Sequence, residues 1–117
     1  MKELLNQAAQ QLNISLSEEQ LQQFLRYKEL LLEWNEKMNL TAITDEKEIM
    51  LKHFADCISV LSVYTPKEGA KLIDVGTGAG FPGVPIKIAM PSLKVTLLDS
   101  LNKRINFLKE LTFDLGL

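Results

Sequence analysis

Apolar residues recur at helical spacing through the first half of the chain and in short continuous runs through the second. Leu4, Leu5, Ala8 and Leu12 share one face and predict a helix over about 2–12. Ser17-Glu18-Glu19-Gln20 is a capping box, with Ser17 as N-cap and Gln20 reaching back. It opens a long helix over about 18–36, whose apolar stripe is Leu21, Phe24, Leu25, Leu31 and Leu32. Lys37 to Thr44 is poor in helix formers at its centre and turns the chain. Thr44 is placed to cap a third helix, with Asp45 and Glu46 favourably set against the dipole of its first turn. Ile49, Phe54, Cys57, Ile58 and Leu61 carry helical periodicity on to about 63.

The pattern changes after the Thr65–Gly69 loop. Lys71 to Val75 is a short, mostly apolar run that ends at glycine, as expected of a strand buried on both faces. Pro82 fits the first turn of a following helix, where a missing N–H is harmless, and Pro91 stops that helix. Lys94 to Leu98 reads as a second strand closed by Asp99. Leu101, Ile105, Leu108, Leu111 and Leu115 then share a helical face, with Gly116 as its C′ residue. The fold class is therefore α/β: a helical region over 1–66, then a parallel β-α-β-α segment over 67–117 with a right-handed crossover. Two strands need neighbours to form a stable parallel sheet. The expectation is an N-terminal portion of a longer protein.

Composition narrows the class. With 117 residues, 46% hydrophobic and 24% charged, the chain suits one globular domain. No run of about 18 apolar residues predicts a membrane span. The amphipathic start lacks the apolar core of a secretory leader. Cys57 is the only cysteine, so no internal disulfide forms, and a cytoplasmic setting is expected. Net charge is −2 overall, but residues 1–70 carry 7 basic and 11 acidic side chains, and residues 71–117 carry 6 and 4. The second part thus permits a polyanionic partner without demanding one.

The candidate chemistry lies in LIDVGTGAGFPGVP, residues 72–85, which holds four of the six glycines: Gly76, Gly78, Gly80 and Gly83. Glycines between a buried strand and a helix let the backbone turn sharply and let a ligand lie against bare amides. Two frames fit. One is Asp74-Val75-Gly76-Thr77-Gly78-Ala79-Gly80, an acid followed by three alternate glycines. The other, Gly78 to Gly83, spells the dinucleotide fingerprint. The second begins too far beyond the strand end, and Pro82 and Pro85 deprive the helix start of N–H groups that a pyrophosphate needs. The first suits a ligand with an ammonium and a carboxylate. No Gly-Lys-Ser or Gly-Lys-Thr follows, which excludes a P-loop. Asp99, 19 residues beyond Gly80, ends the neighbouring strand, where a carboxylate can accept both hydroxyls of a ribose or cap the next helix.

The acid and alternate glycines resemble the S-adenosylmethionine site of Rossmann-like methyltransferases. A longer set of blocks resembles one family: His53-Phe54-Ala55-Asp56, Leu72 to Pro85, and Leu97-Leu98-Asp99-Ser100-Leu101-Asn102-Lys103-Arg104, with Trp34-Asn35 and Asn39-Leu40-Thr41 upstream. It is the ribosomal RNA small-subunit methyltransferase G family, also called glucose-inhibited division protein B. The resemblance implies the first βαβα part of a Rossmann-like S-adenosylmethionine-dependent methyltransferase fold. It implies a cytoplasmic bacterial enzyme that transfers a methyl group from S-adenosyl-L-methionine to guanine N7 of 16S ribosomal RNA, free or in a small-subunit precursor. By matching positions, Gly76, Gly78, Gly80 and Phe81 would line the methionine and adenosine of the cofactor. Asp99, Ser100 and Leu101 would hold the ribose and the adenine edge. Further cofactor and RNA contacts of the family lie beyond Leu117, so the chain by itself is expected to be inactive. A monomer is expected.

Guanine N7 is a lone pair without a proton, so methyl transfer needs no general base; catalysis would rest on positioning and electrostatics. That agrees with a sequence without a catalytic triad, paired acids or metal-ligand spacing. His53, the only histidine, reads either as a hydrogen-bonded structural residue or as a contact to cofactor or RNA, with Asp56 at i+3 to orient it. Lys103 and Arg104 oppose the dipole at the start of the last helix, as a solvated pair or as ligands of RNA phosphates. Two other readings stay open: a dinucleotide-dependent oxidoreductase, and a non-enzymatic module that binds RNA or protein.

Overall fold

The computed structural model describes residues 1–117. The chain runs α1 (Lys2–Gln11), α2 (Glu18–Met38), α3 (Glu46–Glu48), a π-helical stretch (Ile49–Ala55), α4 (Asp56–Ile58), α5 (Val60–Val63), β1 (Lys71–Val75), α6 (Gly83–Ala89), β2 (Lys94–Leu98) and α7 (Asn102–Leu115). It is an α/β chain with a helical N-terminal region and a small two-stranded parallel sheet. No helix is long and apolar enough to cross a membrane.

Several elements form as the sequence dictates. The capping box at α2 is complete: the Gln20 N–H donates to Ser17 Oγ at 3.1 Å, and the Ser17 N–H donates to Gln20 Oε1 at 2.7 Å. Both strands span the expected residues, and α7 ends on Gly116 in the left-handed region at φ 71°. Leu101 stands at the N-cap of α7 rather than on its apolar face, and Phe107 joins Leu108, Leu111 and Leu115 among the buried residues.

The third helix departs from expectation in two ways. Its cap is Asp45, not Thr44: the Asp45 carboxylate accepts the Glu48 N–H at 3.0 Å, so the helix begins at Glu46. Its centre is π-helical rather than α-helical. Ile49 and Phe54 lie five residues apart and are both buried, as are Met50 and Ala55. Winding with i→i+5 bonds sets such pairs on one face, which an α-helix would rotate apart.

One core joins the helical region to the sheet. Phe24, Tyr27, Leu31, Phe54 and Ile58 pack in one cluster with Val84, Ile88, Phe107 and Leu111. Burying each such side chain contributes about 2 kcal/mol. Polar links reinforce it: Gln20 Nε2 donates to the Ile88 carbonyl at 2.9 Å, Gln23 Nε2 to the Leu115 carbonyl at 2.9 Å, and Trp34 Nε1 to Glu110 Oε2 at 2.5 Å.

The sheet is covered on one face only. Leu72 and Asp74, opposite Val95 and Leu97, face α6 and are half-buried. On the other face Ile73 is 62% exposed and Val75 is 77% exposed. The expectation of a strand buried on both faces is corrected here: two-sided burial needs a layer on each side, and these residues place helices on one.

Candidate functional site

β1 and β2 pair in parallel with Val75 opposite Leu98, so the glycine loop after β1 and Asp99 after β2 emerge side by side at the carboxyl edge. The loop closes onto β2 at once. The Gly76 and Thr77 N–H groups both donate to the Leu98 carbonyl, at 2.8 and 3.0 Å. The Gly78 N–H donates to Asp99 Oδ2 at 2.9 Å, and the Gly80 and Phe81 N–H groups both donate to the Thr77 carbonyl. The expectation of bare loop amides is therefore corrected. The loop amides at these five positions are already paired within the protein, because a loop this close to its neighbour strand satisfies its own donors.

The four glycines divide into two pairs. Gly76 at φ 70° and Gly78 at φ 59° sit in the left-handed region, and a Cβ on either would meet nothing within 4 Å. Gly80 and Gly83 have no such space. A Cβ on Gly80 would lie 2.7 Å from the Tyr27 hydroxyl and 2.8 Å from Val84 Cγ2; one on Gly83 would lie 2.6 Å from Leu97 Cδ2. The first pair keeps a concave face open, and the second lets α2, α6 and β2 close behind the loop.

Asp74 turns inward. Its Oδ2 accepts the Thr77 hydroxyl at 2.6 Å and the Gly83 N–H at 2.9 Å, tying the two ends of the loop together. The frame Asp-x-x-Thr with Gly83 carried this signal, because a hydroxyl at i+3 and a helix-start amide are natural partners for an acid.

Asp99 is held from both sides. Oδ2 takes the Gly78 N–H, Oδ1 takes the Leu101 N–H at 3.0 Å, and the Arg104 guanidinium stands 3.6 Å from Oδ2. The backbone N–H groups of Leu101 and Gly78, then Arg104, hold its pKa below the ordinary carboxylate value. The carboxylate side chain is 2% exposed, whereas Ser100 and Leu101 lie open beside it. Phe81 faces the helical region instead, its ring stacked on His53 at 4.3 Å and on Tyr27 at 5.8 Å.

His53 lies in the π-helical stretch. Its Nε2 is 2.7 Å from Thr41 Oγ1, which also accepts the Ile43 N–H at 3.1 Å. The hydroxyl still has its proton and a second lone pair, so it can donate to a bare Nε2 or accept from Nε2–H, according to the tautomer. Burial lowers the His53 pKa, with Asp56 acting the other way. His53 and Asp56 also line a cavity of about 760 Å³ with Cys57, Leu72 and Phe81. Sequence reasoning missed Tyr27. Its hydroxyl donates to the Ala79 carbonyl at 2.6 Å, 52 residues away along the chain.

The start of α6 has no amide to offer a pyrophosphate. The Gly83 N–H is taken by Asp74, the Val84 N–H by the Gly80 carbonyl at 2.7 Å, and Pro85 has none. Asp74 lies beneath the loop, and Asp99 beside it is partly neutralised by Arg104, so it is the missing amides that disfavour a phosphate.

Fold and site together define a parallel α/β protein with its glycine loop at the carboxyl edge of the sheet. The profile of the rRNA small subunit methyltransferase G family matches residues 20–117. Among curated proteins, the chain is similar to ribosomal RNA small subunit methyltransferase G of Alkaliphilus metalliredigens, with 57% identity over 99% of this chain and 48% of that protein. It is similar to the proteins of the same name from Alkaliphilus oremlandii, at 59% over 94% of this chain and 46% of that protein, and Clostridium botulinum, at 56% over 98% and 48%. The chain belongs to the rRNA small subunit methyltransferase G family, and it spans about half the length of the curated relatives it matches.

Proposed function

We propose that these residues form the cofactor-binding edge of a Rossmann-like, S-adenosylmethionine-dependent methyltransferase that acts on guanine N7 of 16S ribosomal RNA in the bacterial cytoplasm. The observation that carries the reading is the pairing of β1 and β2 tips. It sets the open face of Gly76 and Gly78 next to Asp99, in a chain of this family.

The residues present fit the cofactor. The Gly76–Gly78 face admits a ligand backbone without a side-chain clash. The carboxylates of Asp74 and Asp99 favour its cationic charges. Asp99 Oδ1 accepts only the Leu101 N–H and keeps a lone pair for a ribose hydroxyl. Oδ2 is shared by the Gly78 N–H and Arg104; with the side chain 2% exposed, Arg104 would swing aside to admit the ribose. Exposed Leu101 offers an apolar edge to the adenine, with Ser100 beside it. Gly80 serves the same face from behind, by letting Tyr27 and Val84 approach. Phe81 serves it indirectly, by anchoring the far end of the loop on His53 and Tyr27.

When bound, S-adenosylmethionine supplies an electrophilic methyl carbon and leaves as the neutral thioether. Guanine N7 attacks with its own lone pair, so no residue of this chain has to move a proton. The protein's part is to hold the cofactor edge rigid, exclude water and keep a negative field along the loop. The half-buried Arg104 beside Asp99 and the exposed Lys103 preceding it put positive charge at the start of α7, where an RNA phosphate would meet it.

The experiment is a ligand titration read by melting temperature, followed by an RNA assay. S-adenosylhomocysteine should raise the melting temperature of a full-length protein carrying these 117 residues. NAD should not. Unmodified small subunits treated with that protein and S-adenosylmethionine should release 7-methylguanosine on nuclease digestion and mass spectrometry. A shift with NAD alone, or the absence of 7-methylguanosine, refutes the proposal.

A further inference from the structure

We propose that Tyr27 is a positioning residue for the glycine loop, acting through the Ala79 carbonyl; the inference rests on the methyltransferase reading above. Ala79 stands between Gly78 at φ 59° and Gly80 at φ 94°. Glycine on both sides leaves the intervening peptide units with little intrinsic restraint, so they rotate readily unless something holds them. Three groups do. Asp99 takes the Gly78 N–H from one side, the Thr77 carbonyl takes the Gly80 N–H at 3.0 Å, and the Tyr27 hydroxyl donates to the Ala79 carbonyl from the other side. That carbonyl accepts no other hydrogen bond in the structure.

The phenol is itself immobile. Tyr27 is fully buried on α2, its ring 4.7 Å from Phe54 and 5.8 Å from Phe81. The hydroxyl occupies the space a Gly80 side chain would need, 2.7 Å from the built Cβ position. Burial also pushes the phenol well above its ordinary pKa of 10.0, so it stays a donor throughout the physiological range. The helical region thereby reaches into the loop with one buried donor. Without it, a buried carbonyl loses its partner and the Ala79–Gly80 peptide is tethered only through the Gly80 N–H, so it rocks more widely and disturbs the Gly76–Gly78 face through the shared backbone.

The test is Tyr27→Phe in the full-length protein, with Trp34→Phe as the comparison. Trp34→Phe deletes a different α2 hydrogen bond, the one to Glu110, remote from the loop. Tyr27→Phe should weaken S-adenosylhomocysteine binding and raise KM for S-adenosylmethionine by about tenfold, with kcat changed less than about twofold. Trp34→Phe should lower the melting temperature without moving either constant. Amide hydrogen exchange at Gly78–Phe81 should quicken in Tyr27→Phe and stay unchanged in Trp34→Phe. If the parent binds S-adenosylhomocysteine and Tyr27→Phe binds it equally well, the positioning role is overturned and the methyltransferase reading stands. If the parent does not bind it at all, the methyltransferase reading falls, and unchanged loop exchange in Tyr27→Phe then overturns the Tyr27 assignment on its own ground.

Discussion

Asp99 accepts the Gly78 N–H at 2.9 Å, so the tip of β2 holds the loop that leaves β1. The same carboxylate takes the Leu101 N–H at the start of α7. It is at once a brace for the glycine loop, a cap for a helix and the acid facing the candidate ligand face. Asp99→Asn should separate these roles. One amide oxygen can still accept, but the NH₂ meets a backbone donor, which costs about 1–3 kcal/mol. The carboxylate pKa is held below its ordinary 3.8, so its stabilising effect is complete above that value and is lost as pH falls through the lower folded value. Urea midpoints of parent and Asp99→Asn should differ at neutral pH and converge in that acid window. A constant difference down to the most acidic point would show that the charge of Asp99 is not what the loop uses.

His53 gives a prediction with the opposite chemistry and the same direction in pH. Its pKa is lowered from 6.5 chiefly by burial, and its Nε2 is engaged by Thr41. The unfolded chain therefore takes the proton first. Stability should be full above about 6.5, and should fall as pH drops from there to the folded value. As His53 is the only histidine, its ring proton resonance can be followed without assignment ambiguity. The titration midpoint should lie below 6.5 in the folded protein and return to about 6.5 in denaturant. A folded midpoint at or above 6.5 would mean that Asp56 outweighs burial and that the imidazole is charged at the loop.

The parts of the fold legible in the sequence are those set by local chemistry. Ser17 and Gln20 announce their own capping box, and Gly116 its left-handed cap. Lys71–Val75 and Lys94–Leu98 are bounded by loop residues that end them cleanly. What stayed hidden depends on partners far along the chain or on choices between equivalent donors. The five-residue spacing of Ile49 and Phe54 looks like ordinary helical scatter until a core demands both on one face. An acid at position 74 and a threonine three residues on are visible, but the choice of Thr77 and Gly83 over a ligand as its partners is made only when the loop folds back on the start of α6. The bond from Tyr27 to Ala79 spans 52 residues and leaves no periodic trace. The adjacency of the loop and Asp99 was legible because two short strands joined by one helix have few ways to pair.

Cys57 should be chemically quiet. Burial first, then Asp56 and Asp74, push its thiol up from 9.0 to about 12. At about pH 8 the thiolate fraction falls from roughly one in ten to roughly one in ten thousand. The more basic thiolate is also the better nucleophile, which offsets about half of this loss on a logarithmic scale, so reaction with a disulfide reagent should be about fiftyfold slower in the folded protein than in denaturant. A rate within about tenfold of the denatured one would show that the wall formed by the π-helical stretch and α4 opens on the time scale of the reaction.

Gly76→Ala and Gly80→Ala test the division of labour among the glycines, because both positions have positive φ and only one is crowded. At Gly76 the new methyl group meets nothing within 4 Å, so the cost is the left-handed backbone alone, about 1–2 kcal/mol. At Gly80 the backbone cost recurs at φ 94°, and the methyl group also lands 2.7 Å from the Tyr27 hydroxyl and 2.8 Å from Val84. Overpacking adds about 1–3 kcal/mol. Gly80→Ala should thus unfold at clearly lower denaturant than Gly76→Ala. Ligand binding should separate them differently. The Gly76 methyl group projects into the open face, so S-adenosylhomocysteine affinity should fall by at least about tenfold in a protein that is otherwise well folded. If Gly76→Ala binds as tightly as the parent, the ligand does not lie against this face, and the open space above Gly76 and Gly78 has no part in binding.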